Sequence, residues 1–386
     1  MSSSPSPPDR PAGPRRGRLP RLAVAAWLLA IATLAVLAVA VAHYLSESSS
    51  GMHMHMGGGA ADALTRGGSR TPLEPLFGSA MLTAWHLDAL AVAVLVLMAA
   101  AYLTGVALVP VRSPGARWPV RHTLLFMVGL VVCAFATNGS IAVYDQVLFS
   151  AHMAGHLALV MVAPAFLVAG RPLALLLAAS PPARRARLGR VLRGRVMSVL
   201  TAPPVALATY TAVIVGSHLT GLMDTIMSNV WAGQIEHVVY VVAGYQFFVL
   251  VLADEPIRWK LSSPVRWLLL AVAMAVDTFT GIVLMQGTTA VHLQPSQLDV
   301  DALSDTHTGG AIMWFGGDAI MAVIMIGLVI GWLRTVESAP TDRGWLEQAR
   351  SATFESHTGA AEGTPIDDED DAARAAYNDW LAKLDH

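Results

Sequence analysis

Apolar residues occur along this chain in unbroken runs of membrane length, without the polar face that a surface helix would show. Eight such runs cover residues 21–44, 85–109, 121–138, 152–169, 199–217, 232–253, 266–286 and 311–333. Roughly 20 apolar residues are needed for one helix to cross a bilayer. The pattern therefore predicts an all-α polytopic membrane bundle of eight transmembrane helices.

The runs divide the chain into five segments. We expect a disordered basic tail at 1–20, a first transmembrane helix at 21–45 and an extracytoplasmic loop at 46–84. A seven-helix membrane domain at 85–335 and an acidic cytoplasmic tail at 336–386 complete the chain. The first run is longer than a signal-peptide core, so we interpret it as an uncleaved helix, although the small residues Ala40 to Ala42 leave cleavage open.

The composition agrees with a membrane protein and excludes several other classes. Of 386 residues, 54% are hydrophobic and only 13% are charged. The single cysteine, Cys133, excludes an internal disulfide and a CxxC motif. The sequence contains no P-loop, dinucleotide fingerprint or nucleophile motif. We therefore expect neither an enzyme nor a nucleic-acid partner.

The basic residues orient the predicted helices. Cytoplasmic loops next to membrane helices carry an excess of Lys and Arg. With both termini in the cytoplasm, all of the 25 basic residues except Arg66 and Arg70 fall on the inner side. The inner loop 170–198 is the most basic of these segments, and an anionic lipid surface is its expected partner.

The histidines show the opposite distribution. Only His122, His357 and His386 lie on the predicted inner side. The other ten lie at or beyond the outer helix ends: His43, His53, His55, His86, His152, His156, His218, His237, His292 and His307. This asymmetry indicates that a site at the outer face requires imidazole groups.

The strongest local signal is the pair His152 and His156 at the start of the fourth run. Residues four positions apart lie one above the other on a helix, so both rings could bind one metal ion. Pro164 lies further along the same run and should kink the helix, because it removes a backbone hydrogen bond.

Further ionisable residues lie within the spans, where they are costly and tend to face the bundle interior. We expect His86, His152, His156, His218 and His237 to supply metal ligands, with Glu236 beside them. For each single histidine, an interfacial ring bonded to a loop carbonyl is an equally open interpretation. Asp277 and Asp318 are expected to be buried polar residues, and a role in a proton path is open for both.

A second candidate metal motif lies in the first outer loop. Residues 51–59 read GMHMHMGGG and contain Met52, His53, Met54, His55 and Met56. Alternating thioether and imidazole groups on a flexible segment suit copper, because thioether sulfur favours Cu(I) and imidazole binds either oxidation state. A low-complexity spacer is the alternative interpretation.

Four segments of the chain resemble the multi-spanning CtaG-type family of cytochrome c oxidase assembly factors. They are HMAGHLALVMVAPAFLVAGRP at 152–172, the segment 218–256, MAVDTFTGIVL at 274–284 and DTHTGGAIMW at 305–314. The resemblance implies a bacterial plasma-membrane protein that assists maturation of a haem-copper oxidase at a copper-supply step. The family motif falls on His152, His156, His218, Glu236, His237, Asp277 and Asp305. The chain departs from the family in its additional first helix, in Thr306-His307 and in its long tail.

The sequence therefore predicts a factor that binds copper at the outer membrane face and assists its delivery to the oxidase catalytic subunit. Two alternatives remain open at this point. One is a b-type haem or quinol-reacting oxidoreductase, in which His156 with His218 or His237 would ligate haem. The other is a copper transporter, which would need polar groups that continue to the cytoplasmic side.

Overall fold

The computed structural model describes residues 20–50, 80–145, 147–223, 226, 229–252, 255–291 and 299–338. Within these ranges every regular element is a helix, which confirms the predicted all-α class. In chain order the helices are α1 Arg21–Ser50, α2 Ala80–Thr83, α3 Ala89–Arg112, α4 Val120–Asn138, α5 Ser140–Tyr144, α6 Phe149–Leu157, π1 Ala158–Val162, α7 Ala163–Ala169, α8 Pro172–Ala179, α9 Pro182–Leu192, α10 Arg195–Leu200, α11 Pro203–His218, α12 Val230–Val251, α13 Ser263–Met285, α14 Ala302–Ala311, π2 Ile312–Gly316 and α15 Gly317–Ser338.

Seven helical segments in the described part of the chain are long and apolar enough to cross a membrane. They are Arg21–Val39, Ala89–Arg112, Val120–Tyr144, Phe149–Ala179, Trp231–Val251, Ser263–Met285 and Ala302–Arg334. The remaining predicted span, 199–217, corresponds to α11. This helix has only 16 residues, because it begins at Pro203 and the preceding residues up to Leu200 form a separate short helix, α10. At 1.5 Å per residue α11 is roughly 24 Å long, and it packs against α12 and α13.

The chain divides into two compact units, residues 1–328 and residues 329–386. The main hydrophobic core of the described residues receives large buried side chains from α4, π1, α11 and α12, and a smaller cluster contains Tyr144, Leu148 and Ala151. The described part of the second unit, residues 329–338, is the end of helix α15.

Pro164 is accommodated by a π-helical segment. Proline has no backbone N–H and cannot bond the carbonyl four residues earlier, which belongs to Val160. The chain widens into π1 before this point, and the N–H of Ala163 donates to the carbonyl of Ala158, five residues back. The Val160 carbonyl lies against Gly244 of α12, where a Cβ atom would be only 2.0 Å from the oxygen. A glycine at this position therefore allows α12 to pack directly on π1.

A second glycine contact joins α13 to α14. A Cβ atom on Gly281 would lie 2.8 Å from the Gly310 carbonyl oxygen, and one on Gly310 would lie 2.8 Å from the Gly281 carbonyl oxygen. The two backbones thus touch, and α14 also packs against α6. This contact fixes α14 beside the start of the helix that carries His152 and His156.

Hydrogen bonds at one end of the bundle join the segments that carry most of its arginines. The Nδ1 atom of His122 lies 2.9 Å from the carbonyl oxygen of Ala169, and Trp259 donates to the carbonyl of Ser198. We call this end, formed by residues 112–122, 169–200 and 255–266, the arginine end. According to the distribution of basic residues, it is the predicted cytoplasmic end.

Glu255 is the buried carboxylate of the arginine end. Its two oxygens accept hydrogen bonds from the backbone N–H groups of Leu173 and Ala174 at 3.3 and 2.8 Å, in the first turn of α8. Burial raises the pKa of Glu255 to about 7, although these hydrogen bonds and the nearby charges of Arg171 and Lys260 act in the opposite direction. The carboxyl group therefore titrates near neutral pH while it holds α8 in place.

The raised pKa of Glu255 predicts a pH-dependent contribution to stability. The folded protein binds this proton more tightly than the unfolded chain, whose glutamates titrate near 4.5, so the contribution is largest below about pH 4.5 and declines as the pH rises to about 7. Thermal unfolding in detergent at pH 5 and pH 8 measures it. Relative to Glu255→Gln, the wild-type Tm should be lower at pH 8 than at pH 5. A difference between the two proteins that stays constant with pH would contradict this prediction.

The contact between π1 and α12 predicts that Gly244→Ala destabilises the bundle. The added methyl group would lie 2.0 Å from the Val160 oxygen and 2.7 Å from Cγ of Pro164, so the two helices must separate. Overpacking of this kind costs about 1–3 kcal/mol, and we expect a lower Tm. Gly327→Ala is the matched control, because nothing lies within 4 Å of a Cβ atom there. Equal Tm values for the two variants would rule out the contact.

Candidate metal centre

Side-chain hydrogen bonds join the helix ends opposite the arginine end. The backbone N–H of Asp88, just before α3, donates to Oδ1 of Asn138 at the end of α4 at 2.8 Å. Oδ2 of Asp88 accepts a hydrogen bond from Nε2 of Gln234 in α12 at 2.7 Å. We call this the histidine end of the bundle, because His86, His152, His156, His218, His237 and His307 lie here.

Asp305 fixes the start of helix α6 at this end. Its carboxylate accepts hydrogen bonds from the backbone N–H groups of Phe149 at 2.6 Å and Ser150 at 3.3 Å. The first N–H groups of a helix have no partner within the helix, and a carboxylate there also interacts favourably with the helix dipole. Asp305, a family-motif residue, thus positions the turn that carries His152.

Three buried side chains from two helices converge next to this turn. The Nε2 atom of His156 lies 3.2 Å from Oε1 of Glu236, and the Nε2 atom of His152 lies 3.8 Å from Oε2 of the same carboxylate. One donor atom from each of the three residues lies within 4.8 Å of the other two. The rings of His152 and His156 are 4.1 Å apart, as their spacing of four residues predicts.

The facing atoms of this triad have no hydrogen-bond partner among the described residues. This holds for Nε2 of His152, Nε2 of His156 and both oxygens of Glu236, while the three side chains are about 95% buried. Unpaired polar atoms in a protein interior are rare and cost several kcal/mol when charged. Two imidazole nitrogens and a carboxylate are, however, a set of three ligands that a divalent transition metal ion accepts.

His218 and Tyr240 surround His156. The Nε2 atom of His218 lies 2.9 Å from Nδ1 of His156, on the side of the ring away from Glu236. Tyr240 stacks on the His156 ring with a centroid separation of 4.2 Å and an interplanar angle of 19°. The ring of His156 is therefore held on one edge and on one face.

His237 lies near the triad but outside it, and His86 lies near His237. His237 follows Glu236 in α12, is half-buried, and is close enough to Asp88 and His86 to interact with both electrostatically. Among the described residues, neither ring belongs to the group whose donor atoms converge within 4.8 Å. Their predicted role as ligands stays a prediction.

Asp277 and Asp318 lie further along the bundle. Asp277 is fully buried in α13, and Oδ2 accepts a hydrogen bond from the hydroxyl of Tyr210 at 3.1 Å. Asp318 at the start of α15 accepts a hydrogen bond from the hydroxyl of Thr278 at 2.9 Å. Both are bonded to neighbouring helices, and neither is part of the convergent group among the described residues.

The second candidate motif, Met52, His53, Met54, His55 and Met56, lies outside the described residues. Its metal-binding role stays a prediction from sequence.

Sequence reasoning missed three residues of the site. Tyr240 lies four positions after Glu236, so helical spacing could have placed both on one face. Ser217 directly precedes His218 and contacts both that ring and the Tyr240 hydroxyl. Gln234, which binds Asp88, had no distinguishing signal in the sequence.

Comparison with known families identifies the kind of protein to which this chain is similar. The chain matches the family model described as cytochrome c oxidase caa3 assembly factor (Caa3_CtaG) over residues 100–335. The match covers more than half of the chain and contains α4 to α14, with all three residues of the triad. The resemblance noted in the four motif segments is thereby confirmed.

The chain is also similar to uncharacterized mycobacterial proteins. Those from Mycobacterium bovis and Mycobacterium tuberculosis are each 29% identical over 266 residues, which is 66% of this chain and 40% of the relative. One from Mycobacterium leprae is 29% identical over 270 residues, which is 65% of this chain and 40% of the relative. The chain thus spans about two fifths of the length of these curated relatives. No solved structure matches the chain.

The triad predicts that Glu236→Gln weakens binding of a divalent ion. The amide keeps the shape of the side chain but removes the negative charge that faces both imidazoles. Changing a residue that only orients a ligand lowers metal affinity about 10–100-fold, so we expect a loss at least as large here. Zinc binding to the purified protein, measured by calorimetry, tests this.

Glu255→Gln is the matched control, since it makes the same chemical change at the arginine end. Equal zinc affinity for Glu236→Gln and Glu255→Gln would show that the Glu236 carboxylate does not bind the ion.

Proposed function

This chain belongs to the cytochrome c oxidase caa3 assembly factor family, and from that premise we propose that it binds a copper ion at its histidine end and assists delivery of the ion to the oxidase. The observation that carries the proposal is the triad of His152, His156 and Glu236, whose buried facing atoms have no hydrogen-bond partner in the described part of the chain. A cation between them would satisfy all three groups. An assembly factor needs no catalytic turnover, and the ion is its cargo.

The donor set favours divalent copper. Cu(I) prefers thiolate and thioether sulfur, whereas imidazole nitrogen and carboxylate oxygen suit divalent ions. Among divalent first-row ions, a site of given nitrogen and oxygen ligands binds Cu²⁺ most tightly. Two neutral imidazoles and one carboxylate would leave one net positive charge on the bound ion and an open position for a ligand of the acceptor.

The distribution of charged residues supports an extracytoplasmic position for the triad. Among the described residues, the arginines of the loops lie at the other end of the same helices, and positive loops stay in the cytoplasm. The bacterial origin of the relatives supports the bacterial plasma membrane as the location, and we propose that both termini of this chain lie in the cytoplasm. In this orientation copper reaches the site from outside the cell membrane, and the Met52–Met56 segment of the outer loop collects it.

The basic helix α9 supports contact with anionic lipid at the cytoplasmic face. Its arginines Arg184, Arg185, Arg187 and Arg190 are exposed or partly exposed. Lys and Arg side chains near an anionic membrane surface contribute about 1 kcal/mol each. We assign α9 to the lipid surface beneath the bundle.

The contact between His156 and His218 argues against haem as the ligand of this pair. Two axial histidines stand on opposite faces of a porphyrin, with iron between their nitrogens. Here Nδ1 of His156 and Nε2 of His218 are only 2.9 Å apart and in direct hydrogen-bond contact. No porphyrin fits between the two rings in this arrangement.

The proposal predicts a specific defect in oxidase maturation. In a host whose caa3-type oxidase requires this chain, replacing it with His152→Ala/His156→Ala should yield oxidase that contains haem but is depleted of copper. The copper-to-haem ratio of the isolated oxidase measures the effect, and excess copper in the medium should restore part of it. His307→Ala is the control, because that half-buried ring lies at the same end but bonds the Gly287 carbonyl.

A normal copper-to-haem ratio with the double variant present at wild-type level would contradict the copper role. A loss of haem together with copper would contradict it as well, because it would indicate a general assembly defect.

A further inference from the structure

The partners of His218 determine where the protons lie around the triad. Its ring stands edge-on to His156, with an interplanar angle of 87° and centroids 4.9 Å apart. The Nδ1 atom of His218 is 2.7 Å from the carbonyl oxygen of Ile214, one turn earlier in α11. A carbonyl oxygen only accepts hydrogen bonds. Nδ1 of His218 therefore carries the proton, and Nε2 of a neutral ring presents a lone pair.

Ser217 is consistent with the same assignment. Its hydroxyl oxygen lies 2.7 Å from the carbonyl of Val213, to which it donates its single proton. Towards Nδ1 of His218, at 2.9 Å, and towards the hydroxyl of Tyr240, the serine oxygen can then only accept. Each donor in this network has an acceptor, and two backbone carbonyls of α11 anchor it.

The position of the proton on His218 also determines which nitrogen of His156 carries a proton. Because Nε2 of His218 is an acceptor, Nδ1 of His156 must donate to it across the 2.9 Å contact. The other nitrogen of the neutral His156 ring, Nε2, then has no proton. This bare lone pair faces the Oε1 atom of Glu236 at 3.2 Å, without a hydrogen bond between them. Two electron-rich atoms at this distance repel each other unless a proton or a metal cation lies between them, and a metal cation would interact with His152 as well.

We propose that His218 is a positioning residue, which binds the His156 proton and so keeps the Nε2 lone pair of His156 available, and that it does not ligate the ion. This inference rests on the proposed function and names the ligands of the same site as His152, His156 and Glu236. It differs from the ligand role that the sequence predicted for His218.

The arrangement follows a general rule of metal sites. A histidine ligand almost always donates its second ring N–H to a carboxylate, a carbonyl or a water, which fixes the tautomer and the ring orientation. Here a second imidazole is the acceptor, and it is itself oriented by the Ile214 carbonyl. Tyr240 stacks on the His156 ring and bonds Ser217, so both rings are restrained together.

The number of imidazoles bound to the ion tests the proposal. Half an equivalent of Cu²⁺ is added to the purified full chain in detergent, and pulsed EPR counts the coordinated rings from the modulation by their remote nitrogens. We expect two imidazoles in the wild type, one in His156→Ala and still two in His218→Ala. Competition with a chelator should show about 10–100-fold weaker binding for His218→Ala.

His218→Gln provides the matched variant, since its amide oxygen can accept the His156 proton. We expect it to retain two imidazoles and to recover most of the lost affinity. This variant also distinguishes a loss of ring positioning from misfolding, because its Tm without copper should be close to that of the wild type.

Two results would overturn the inference: three imidazoles in the wild type that fall to two in His218→Ala, or unchanged copper affinity in His218→Ala. Failure of the proposed function gives different results. In that case the wild type binds no Cu²⁺, or His156→Ala leaves its spectrum unchanged, so that the ion lies elsewhere.

Discussion

The histidine end depends on one constraint: two imidazole nitrogens and a carboxylate are buried against each other without a hydrogen bond between them. The unpaired atoms belong to His152, His156 and Glu236. Such an arrangement costs free energy, since these facing atoms are removed from bulk water and gain no hydrogen-bond partner among the described residues. It persists only because the helices that carry the groups are fixed by contacts elsewhere, and a bound cation would turn the same cost into a favourable interaction.

Two contacts fix these helices. Asp305 caps the helix that carries the histidine pair, and the contact between Gly244 and the Val160 carbonyl sets the separation between that helix and the one that carries Glu236. Gly244 can approach the Val160 carbonyl because Pro164 has no N–H to bond this oxygen and the chain widens into a π-helix before the proline. π-Helical segments inside α-helices occur frequently at functional sites. Here the segment follows the histidine pair directly, and packing between backbones determines the geometry of the site.

Much of this architecture follows from the sequence, because the length of apolar runs, the spacing of residues on a helix and the placement of arginines can each be read directly from the order of residues. The runs predicted the all-α membrane bundle, and the spacing of His152 and His156 predicted that their rings would be neighbours. The length of α11 was less predictable, since the break before Pro203 lies within an apolar segment. Local patterns also did not reveal that Asp305 caps a helix more than 150 residues away, because that contact is purely tertiary.

The same limit applies to the roles within the site. The sequence predicted His218 as a metal ligand like His152 and His156. Only its hydrogen bonds show that His218 accepts the His156 proton instead of facing Glu236. X-ray absorption on the full chain loaded with one equivalent of copper is the most direct test of the central claim. The account predicts a first shell of nitrogen and oxygen only, with outer-shell scattering from two imidazole rings. A first shell containing sulfur, or an ion that fails to bind in stoichiometric amount, would contradict it.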